Sequence, residues 1–435
     1  MLNTPEVSQV SAATVTQKPT RIRAWVIFIT FISMLVAYLD RVNVSIIIAD
    51  PNFKAEMGIM NDPFAQGLLM SCFLWAYGGG MFFLGPIGDV LGPRKATMIA
   101  IFSWGVSISL GALSRTINVL YMTRFLLGLG EALHMPMLSK YTKNWIPPKE
   151  RGTANSGWNV GFMVGPALAL PLFTMLVGEW GWRPSYWFCV VWGFAILPLI
   201  WWATDKPEQH KGVNKAELDY ILEGQKEEAA QAQLASGTFS QNLGKLLTNS
   251  NYLLNVFTYW GSTIMWWGFM SWLPAYLKVA RGFSWAQMGW LSSLPYILGA
   301  ISTMAVGIVA DKYSPNRRAP FSAIGMAGCA LSIYLGATIE DNLTAAYAMA
   351  MAMFFIGMHN PTSWTILQKI VPSNLVGTAS GIHNGTSQFI GAFVPAVVGY
   401  LISTTGGSYT AGLMCLVAAG AIGACCVTVL VFREI

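Results

Sequence analysis

Charged residues are scarce in this sequence. Only 11% of its 435 residues are Asp, Glu, Lys or Arg, whereas 54% are hydrophobic, and an average soluble domain carries about 25% charged residues. So little charge leaves no room for a soluble domain of any size. The composition therefore indicates an all-α protein that crosses a membrane many times, with the lipid bilayer as its main partner.

The sequence also lacks the motifs of enzymes. It has no GxxxxGK phosphate-binding loop and no HExxH zinc motif, and its histidines have no metal-ligand spacing. We therefore expect no catalytic residues, no metal and no organic cofactor. The coupling ion that we expect is the proton.

Disulfides and a cleavable signal peptide are not expected either. All six cysteines fall inside apolar runs, which indicates helix packing. The first 17 residues are polar and contain no apolar core of the kind that signal peptides need. Insertion is then driven by the first spanning helix.

Twelve apolar runs are long enough to span a bilayer, which requires about 20 residues each. They cover residues 24–47, 65–86, 94–113, 118–140, 152–177, 184–203, 252–276, 286–311, 319–338, 343–368, 374–403 and 409–432. The predicted organisation is a tail (1–23), a six-helix bundle (24–203), a linker (204–251) and a second six-helix bundle (252–435). The fold class is two pseudo-symmetric bundles around a central cavity.

The basic residues indicate the orientation of the chain. The net charge of +6 comes from Lys and Arg clustered in alternate loops, which is a topology signal and not a sign of nucleic-acid binding. By the positive-inside rule, both termini and the linker are cytoplasmic. We expect a monomer in the plasma membrane, that of a bacterial cell.

The linker contains one short helical pattern. Asn214 followed by Glu217 resembles a capping box, and Leu218, Ile221 and Leu222 follow at amphipathic spacing. The segment is either a surface helix that lies against the cytoplasmic face or a regulatory element.

An internal repeat relates the two halves. GPIGDVLGPRK, starting at Gly85, recurs as GIVADKYSPNRR, starting at Gly307, so that Asp89 matches Asp311 at a spacing of 222 residues. WIPPKERGTA recurs as KIVPSNLVGTA at a spacing of 225 residues. Two matches at nearly the same offset indicate homologous halves.

These motifs and the six-plus-six layout resemble the major facilitator superfamily of secondary transporters over essentially the whole chain. The resemblance implies a cytoplasmic gate motif formed by Gly85, Asp89, Arg94 and Asp311. Glycines permit a tight turn, and the acid can pair with the basic cluster across it. The alternative is that Arg94 and its neighbour Lys95 only set the topology.

Four charged residues lie inside the apolar runs, where each requires an explanation. Asp40 and Arg41 are adjacent in AYLDRVN, and Arg124 and Glu131 are seven residues apart in TRFLLGLGEALHMP. Two helical turns separate the latter pair by about 10 Å, so each needs another partner, and Asp40 and Arg41 are available. The first pair could instead lie at the membrane edge and reach the headgroups.

The repeat serves as a control for these charges. Adding 225 to Arg124 and Glu131 leads to Met349 and Ile356, so the second half lacks the corresponding charges. If the four charges served only the architecture that both halves share, the second half would carry matching charges. We therefore interpret the four residues as a functional group that belongs to the first half.

The YxDRxN and RxxxGxxE motifs resemble a narrower branch, the anion:cation symporters that include sugar-acid (galactonate) transporters and relatives of sialin and the vesicular glutamate transporters. The resemblance implies that Arg41 holds the substrate carboxylate, that Asp40 and Glu131 carry protons and that Arg124 tunes them. It further implies that Tyr38, Tyr77 and Asn384 line the site. Phe162 stands where the galactonate pattern has glutamine.

Further cavity candidates lie in the second half, where aromatic rings could stack on a sugar and amides could bind hydroxyls. We select Trp267, Trp364 and His383 for substrate binding. The wider set is Tyr259, Trp266, Trp272, His359, Asn360, Thr362, Ser363, Ser387 and Gln388. Packing and membrane-interface roles are the alternative for each tryptophan, and packing or hydrogen bonding for His134, His359 and His383.

The combined hypothesis is proton-coupled uptake of a small carboxylate, a sugar acid of the hexonate, hexarate or hexuronate type, by alternating access. An aromatic or dicarboxylic acid is the alternative substrate. A proton-antiporting exporter and a sensor without transport are further alternatives. The sequence leaves open whether Asp40 or Glu131 titrates first.

Overall fold

The structure is a computed structural model, and it describes residues 18–147, 150, 154, 157–158, 160–232, 244, 246–313, 317–371 and 376–435. The described residues form helices and no β-strand. In the first half, up to residue 203, the helices are α1 (Ile22–Ile47), α2 (Pro51–Glu56), α3 (Pro63–Leu91), α4 (Pro93–Ala112), α5 (Ile117–Ala132), α6 (His134–Trp145), α7 (Gly161–Trp180), α8 (Trp182–Ala195) and α9 (Leu197–Trp202).

The linker contains a 3-10 turn (Pro207–Gln209) and α10 (Lys215–Ala232). The second half, from residue 250, contains α11 (Ser250–Ala275), a π-helical turn (Tyr276–Ala280), α12 (Trp285–Tyr313), α13 (Ala319–Thr338), α14 (Asn342–Ile370), α15 (Val376–Gly391), α16 (Val394–Thr404) and α17 (Tyr409–Phe432). Within the described residues, eight helical segments are long and apolar enough to cross a membrane. The number of twelve spans stays a prediction.

Proline explains where two of the helices end. A proline ring clashes with the carbonyl four residues earlier and removes one backbone donor. Pro136 and Pro395 stand four residues after Ala132 and Gly391, where α5 and α15 end. The chain continues as α6 and α16 almost at once, so each break interrupts one long helical segment.

The two halves pack closely at one end of the bundle, where α1 ends and α3 begins, which we call the far end. The backbone N–H of Ala396 donates to Ser71 Oγ at 3.1 Å. A methyl group added at Gly67 would lie 2.2 Å from the carbonyl oxygen of Pro395, a separation that only glycine permits. The far end is therefore closed by helix contact between α3 and α16.

The linker helix lies against the opposite end of the first half. Asn214 caps it as predicted by accepting from the N–H of Glu217 at 3.0 Å. The Glu217 carboxylate, however, does not close a capping box. It accepts from the N–H groups of Ile22 and Arg23, each at 3.2 Å, and from Arg23 Nη1 at 3.1 Å. Because Ile22 begins α1, a linker residue provides the N-terminal cap of the first long helix.

Candidate functional site

Two buried ion pairs join α1 to α5. Arg41 Nη2 lies 2.7 Å from Glu131 Oε2, and Arg124 Nη1 lies 3.1 Å from Asp40 Oδ2. None of the four residues is more than 3% exposed. They therefore lie inside the first half, and the alternative that Asp40 and Arg41 reach the membrane edge is excluded.

The pairing follows from helix geometry. Adjacent residues on a helix point about 100° apart, so the side chains of Asp40 and Arg41 diverge. Each pairs with a different one of Arg124 and Glu131, which lie two turns apart on α5. Each helix supplies one acid and one base, which neutralises the buried charge locally. Removing one member of such a pair leaves an uncompensated charge and costs about 3–5 kcal/mol.

Aromatic rings surround Arg41. Its guanidinium carbon lies 4.8 Å from the ring centroid of Tyr38, 4.6 Å from that of Tyr77 and 5.5 Å from that of Phe73. Tyr38 and Tyr77 were expected here, and the cation–π contacts hold the guanidinium in place.

Phe73 is a residue that the sequence reasoning missed. It stacks on Tyr77 at 5.6 Å between centroids and also lies 4.8 Å from the guanidinium carbon of Arg124. It thus contacts both arginines. One sequence signal could have identified Phe73. It stands four positions before Tyr77 on α3, and residues four apart share one face of a helix.

Phe162 lies at the edge of the same group. Its ring is 5.3 Å from that of Tyr38 and 6.1 Å from that of Trp158. A polar amide in this position could bind a hydroxyl group, whereas the phenyl ring offers only an apolar contact. The departure from the galactonate pattern therefore changes the chemistry beside Tyr38.

His134 lies one turn after Glu131 in the chain. Its Nε2 shares a short hydrogen bond with Ser33 Oγ, and its ring packs edge-on against Trp104 at 5.2 Å. These contacts agree with the alternative that His134 serves packing and hydrogen bonding.

The second half contains an uncharged aromatic and polar cluster. The rings of Tyr259 and His383 are 4.1 Å apart, and that of Trp364 is 5.1 Å from His383. His383 Nε2 lies 3.4 Å from both Asn255 Nδ2 and Ser363 Oγ. Four predicted candidates, Tyr259, Ser363, Trp364 and His383, are thus brought together.

Gln388 forms hydrogen bonds with both Trp267 and Asn384. Trp267 Nε1 donates to Gln388 Oε1 at 3.0 Å, and Gln388 Nε2 donates to Asn384 Oδ1 at 3.5 Å. Trp272, in contrast, donates to the carbonyl of Pro395 at 3.0 Å and therefore serves packing between helices. Among the described residues, no hydrogen bond links either group to the four charged residues of the first half.

A small cleft separates the halves near α1. It is too narrow to hold a substrate and is lined by Val42, Ser45, Leu170, Met270, Leu273, Pro274, Ser292 and Tyr296. The predicted substrate-binding residues do not line it.

The predicted gate motif is described only in part. Gly85 and Asp89 belong to α3 and Asp311 to α12, but their side chains lie outside the described residues. Arg94 is described: its backbone N–H donates to Asp205 Oδ1 at 2.8 Å, and its guanidinium carbon lies 4.8 Å from the Trp201 ring. Asp205 was not singled out from the sequence. It caps α4 beside Gly92, whose φ of +81° favours glycine.

Comparison with known proteins assigns the family. A model described as Major Facilitator Superfamily matches residues 29–396. The chain belongs to this superfamily. A D-galactonate transporter of Escherichia coli O6:H1 is 30% identical over 94% of this chain and 95% of the relative. The family fold and its membrane function make the chain a multi-pass transporter of the plasma membrane and not an enzyme.

Two further relatives have similar coverage. A probable galactarate/D-glucarate transporter, GudP, of Escherichia coli K12 is 28% identical over 91% of this chain and 90% of the relative. A probable sulfoacetate transporter, SauU, of Cupriavidus necator is 29% identical over 85% of each chain.

Solved superfamily structures share the fold. The inward-facing, unoccupied structure of a bacterial homolog of the human lysosomal transporter Spinster has a TM-score of 0.75 at 15% identity and covers 93% of this chain and 97% of its own. The D-xylose-proton symporter has a TM-score of 0.70 at 16% identity and covers 93% and 96%.

Proposed function

We propose that this superfamily member is a proton-coupled symporter that takes up a small sugar acid by alternating access. The observation that carries the proposal is the pair of buried ion pairs between α1 and α5. Proton coupling requires acids in the membrane interior and a carboxylate substrate requires a cation there, although each charge is costly.

Arg41 is the proposed ligand of the substrate carboxylate. A guanidinium presents a planar fork of donors that matches a carboxylate, and the rings of Tyr38 and Tyr77 contact that of Arg41. In the structure its donors are directed at Glu131. A substrate carboxylate therefore competes with Glu131 for the same cation.

This competition couples the proton to the substrate. Burial favours the neutral form of a carboxylic acid, and a protonated Glu131 no longer neutralises Arg41. The arginine is then free to bind the incoming anion, so that proton and substrate favour the same occupied state. Asp40 is the second proposed proton carrier, and Arg124 tunes its charge. The order in which Asp40 and Glu131 titrate stays open.

The uncharged cluster of the second half is the proposed site for the rest of the substrate. Indole and imidazole rings such as those of Trp364 and His383 can contact the carbon chain and hydroxyl groups of a sugar acid. Asn384 and Trp267 would add polar contacts. The anion and the hydroxyl chain would then be held by different halves, which is the arrangement that alternating access requires.

The remaining topology belongs to the same proposal. Twelve spans in two six-helix bundles, with domain boundaries at about residues 24, 204 and 252, would place both termini in the cytoplasm, and the protein would act as a monomer. Asp89 and Asp311 would then mark the cytoplasmic gate, with Arg94 as the basic partner in the first half.

The relatives support an acid as substrate, since their names include D-galactonate, galactarate, D-glucarate and sulfoacetate. A second candidate is an aromatic or dicarboxylic acid. The observation that favours it is the contact of Phe162 with Tyr38, because a phenyl ring at the site suits an apolar substrate group better than a hydroxyl.

Uptake into proteoliposomes tests the proposal. Labelled D-galactonate, D-glucarate and sulfoacetate are supplied outside vesicles with an imposed inward proton gradient. We expect the gradient to drive accumulation of at least one acid, and dissipation with an uncoupler to abolish it. If no supplied acid accumulates in response to the gradient although one of them exchanges, proton symport is wrong.

A further inference from the structure

Four buried polar atoms, two of them in the Asp40–Arg124 pair itself, have no hydrogen-bond partner among the described residues. They are Asp40 Oδ1, Arg124 Nη2, Asn43 Nδ2 and Tyr186 Oη. The residues that carry them are at most 3% exposed. Native interiors leave few such groups unsatisfied, so their concentration here requires an explanation.

Connected contacts place these atoms in one region. Asn43 follows Asp40 by three residues, nearly one turn of α1, and so shares its face. Its Oδ1 accepts a hydrogen bond from Ser185 Oγ at 2.7 Å, and Tyr186 is the next residue of α8. Tyr186 also interacts electrostatically with both Asp40 and Arg124.

A fourth helix closes the region. A methyl group added at Gly111 of α4 would lie 2.8 Å from Tyr186 Cε1 and 3.4 Å from Thr123 Oγ1. Tyr186 therefore packs against α4 beside Thr123, the residue that precedes Arg124. The residues that carry the four polar atoms belong to α1, α5 and α8, and α4 packs against Tyr186.

We propose that this enclosed region is a hydration site that conducts protons to Asp40, an inference that rests on the proposed proton coupling. Water fits the donor set because it both donates and accepts. It can donate to Asp40 Oδ1 while it accepts from Arg124 Nη2 or Asn43 Nδ2. A metal cation would be repelled by Arg124, and an anion by Asp40.

The hydration site lies toward the end of the protein from which protons would enter. Ser185 is the fourth residue of α8, and α8 begins at the far end, where Trp182 Nε1 donates to Glu56 Oε2 at 2.9 Å. The site thus lies between Asp40 and the far end. In the proposed topology both termini are cytoplasmic, so the far end faces the outside of the cell. This is the side from which an uptake symporter takes its protons.

The proton transfer leaves each water unchanged. A water gives one proton to Asp40 Oδ1 and receives another from the next water or from the Tyr186 hydroxyl, which is reprotonated in turn. The charged or titratable groups that interact with Asp40 are Arg124, Glu131, Arg41, Tyr186 and Cys189. Among them, Tyr186 combines a place on the far-end side of Asp40 with an O–H that can relay a proton.

Two variants and a matched control test the inference. Tyr186→Phe removes only the hydroxyl group, and Asn43→Leu replaces the amide by an apolar group of similar size. Tyr121→Phe is the control, because the Tyr121 hydroxyl already donates to the carbonyl of Ala65 at 2.9 Å. Each is assayed in proteoliposomes for gradient-driven accumulation of labelled D-galactonate and for its exchange without a gradient, which requires no net proton movement.

We expect gradient-driven uptake by Tyr186→Phe and Asn43→Leu to slow by about 100-fold or more, the lower end of the range for lost proton-transfer groups. Exchange should stay near the wild-type rate, and the control should match the wild type in both assays. Variants that accumulate normally, or that lose exchange together with uptake, overturn the hydration site. A wild-type protein that exchanges but ignores the gradient overturns the proton coupling itself, which is a separate result.

Discussion

Arg41 directs two donors at one oxygen of Glu131. Nε lies 2.9 Å and Nη2 2.7 Å from the same Oε2 atom. Glu131 therefore occupies the edge of the guanidinium that a substrate carboxylate would use, and the anion can bind in that geometry only after Glu131 gives way. Protonation of Glu131 removes its negative charge and therefore weakens its ion pair with Arg41.

Replacing Glu131 by glutamine should separate binding from coupling. The Glu131→Gln side chain keeps the shape of a neutral glutamic acid but cannot exchange a proton. We expect substrate exchange to continue and gradient-driven accumulation to be lost in proteoliposomes. Glu208→Gln, at an exposed position of the linker, is the control. Normal accumulation by Glu131→Gln would show that Glu131 is not the coupling acid.

Arg41→Lys should keep the positive charge and lose the planar fork. Each hydrogen bond to a charged group contributes about 1.5–3 kcal/mol, so the loss of one should weaken substrate binding by about 10- to 100-fold. Thermal stabilisation by the bound acid measures the affinity. Arg433→Lys, at an exposed arginine near the C-terminal end of the described chain, serves for comparison. Unchanged affinity in Arg41→Lys would refute the assigned role.

Gly67→Ala should disturb the closed far end. The added methyl group would lie 2.2 Å from the Pro395 carbonyl oxygen, whereas at Gly78 of the same helix nothing lies within 4 Å. We expect Gly67→Ala to force α3 and α16 apart and Gly78→Ala to leave them unchanged. Maleimide labelling of Ser71→Cys in a cysteine-free background reports the opening. Equal labelling in both glycine variants would contradict this interpretation.

An ion pair at the far end should make stability depend on pH. Hydrogen bonds from Arg183 lower the pKa of Glu56, burial opposes the shift, and a hydrogen bond from Trp182 adds to it. A pKa lowered by folding contributes stability above the unfolded value of about 4.3, and the contribution disappears as the pH falls through the folded pKa.

Glu56→Gln should therefore lower the Tm at pH 7 and cease to differ from the wild type in acid. Both partners are more than a third exposed, so the effect should be at most about 1 kcal/mol. Thermal unfolding in detergent at a series of pH values measures it. A Tm difference that persists unchanged to low pH would exclude the ion pair as its cause.

The two buried ion pairs were predictable to the level of their residues. The four charges stand out because charge in an apolar run is costly, and the repeat identifies them as particular to the first half. Their pairing could be proposed because Arg124 and Glu131 lie too far apart along one helix to pair with each other. Phe73 and Asp205 were not predictable in this way, since a phenylalanine in an apolar helix and an aspartate in a polar linker are ordinary residues there.

The sequence by itself determined the helical class, the superfamily motifs and the internal repeat, whereas the predicted spans 118–140 and 374–403 ran past the helix ends at Ala132 and Gly391. The class and the motifs depend on hydrophobicity and backbone geometry over a few residues. Only the tertiary structure decided that Arg41 meets Glu131 and not Asp40, that Phe73 contacts both arginines and that Glu217 caps α1. Those contacts join residues far apart in the chain, and they depend on how each helix is rotated about its axis and on its position along its neighbour, which no local pattern specifies.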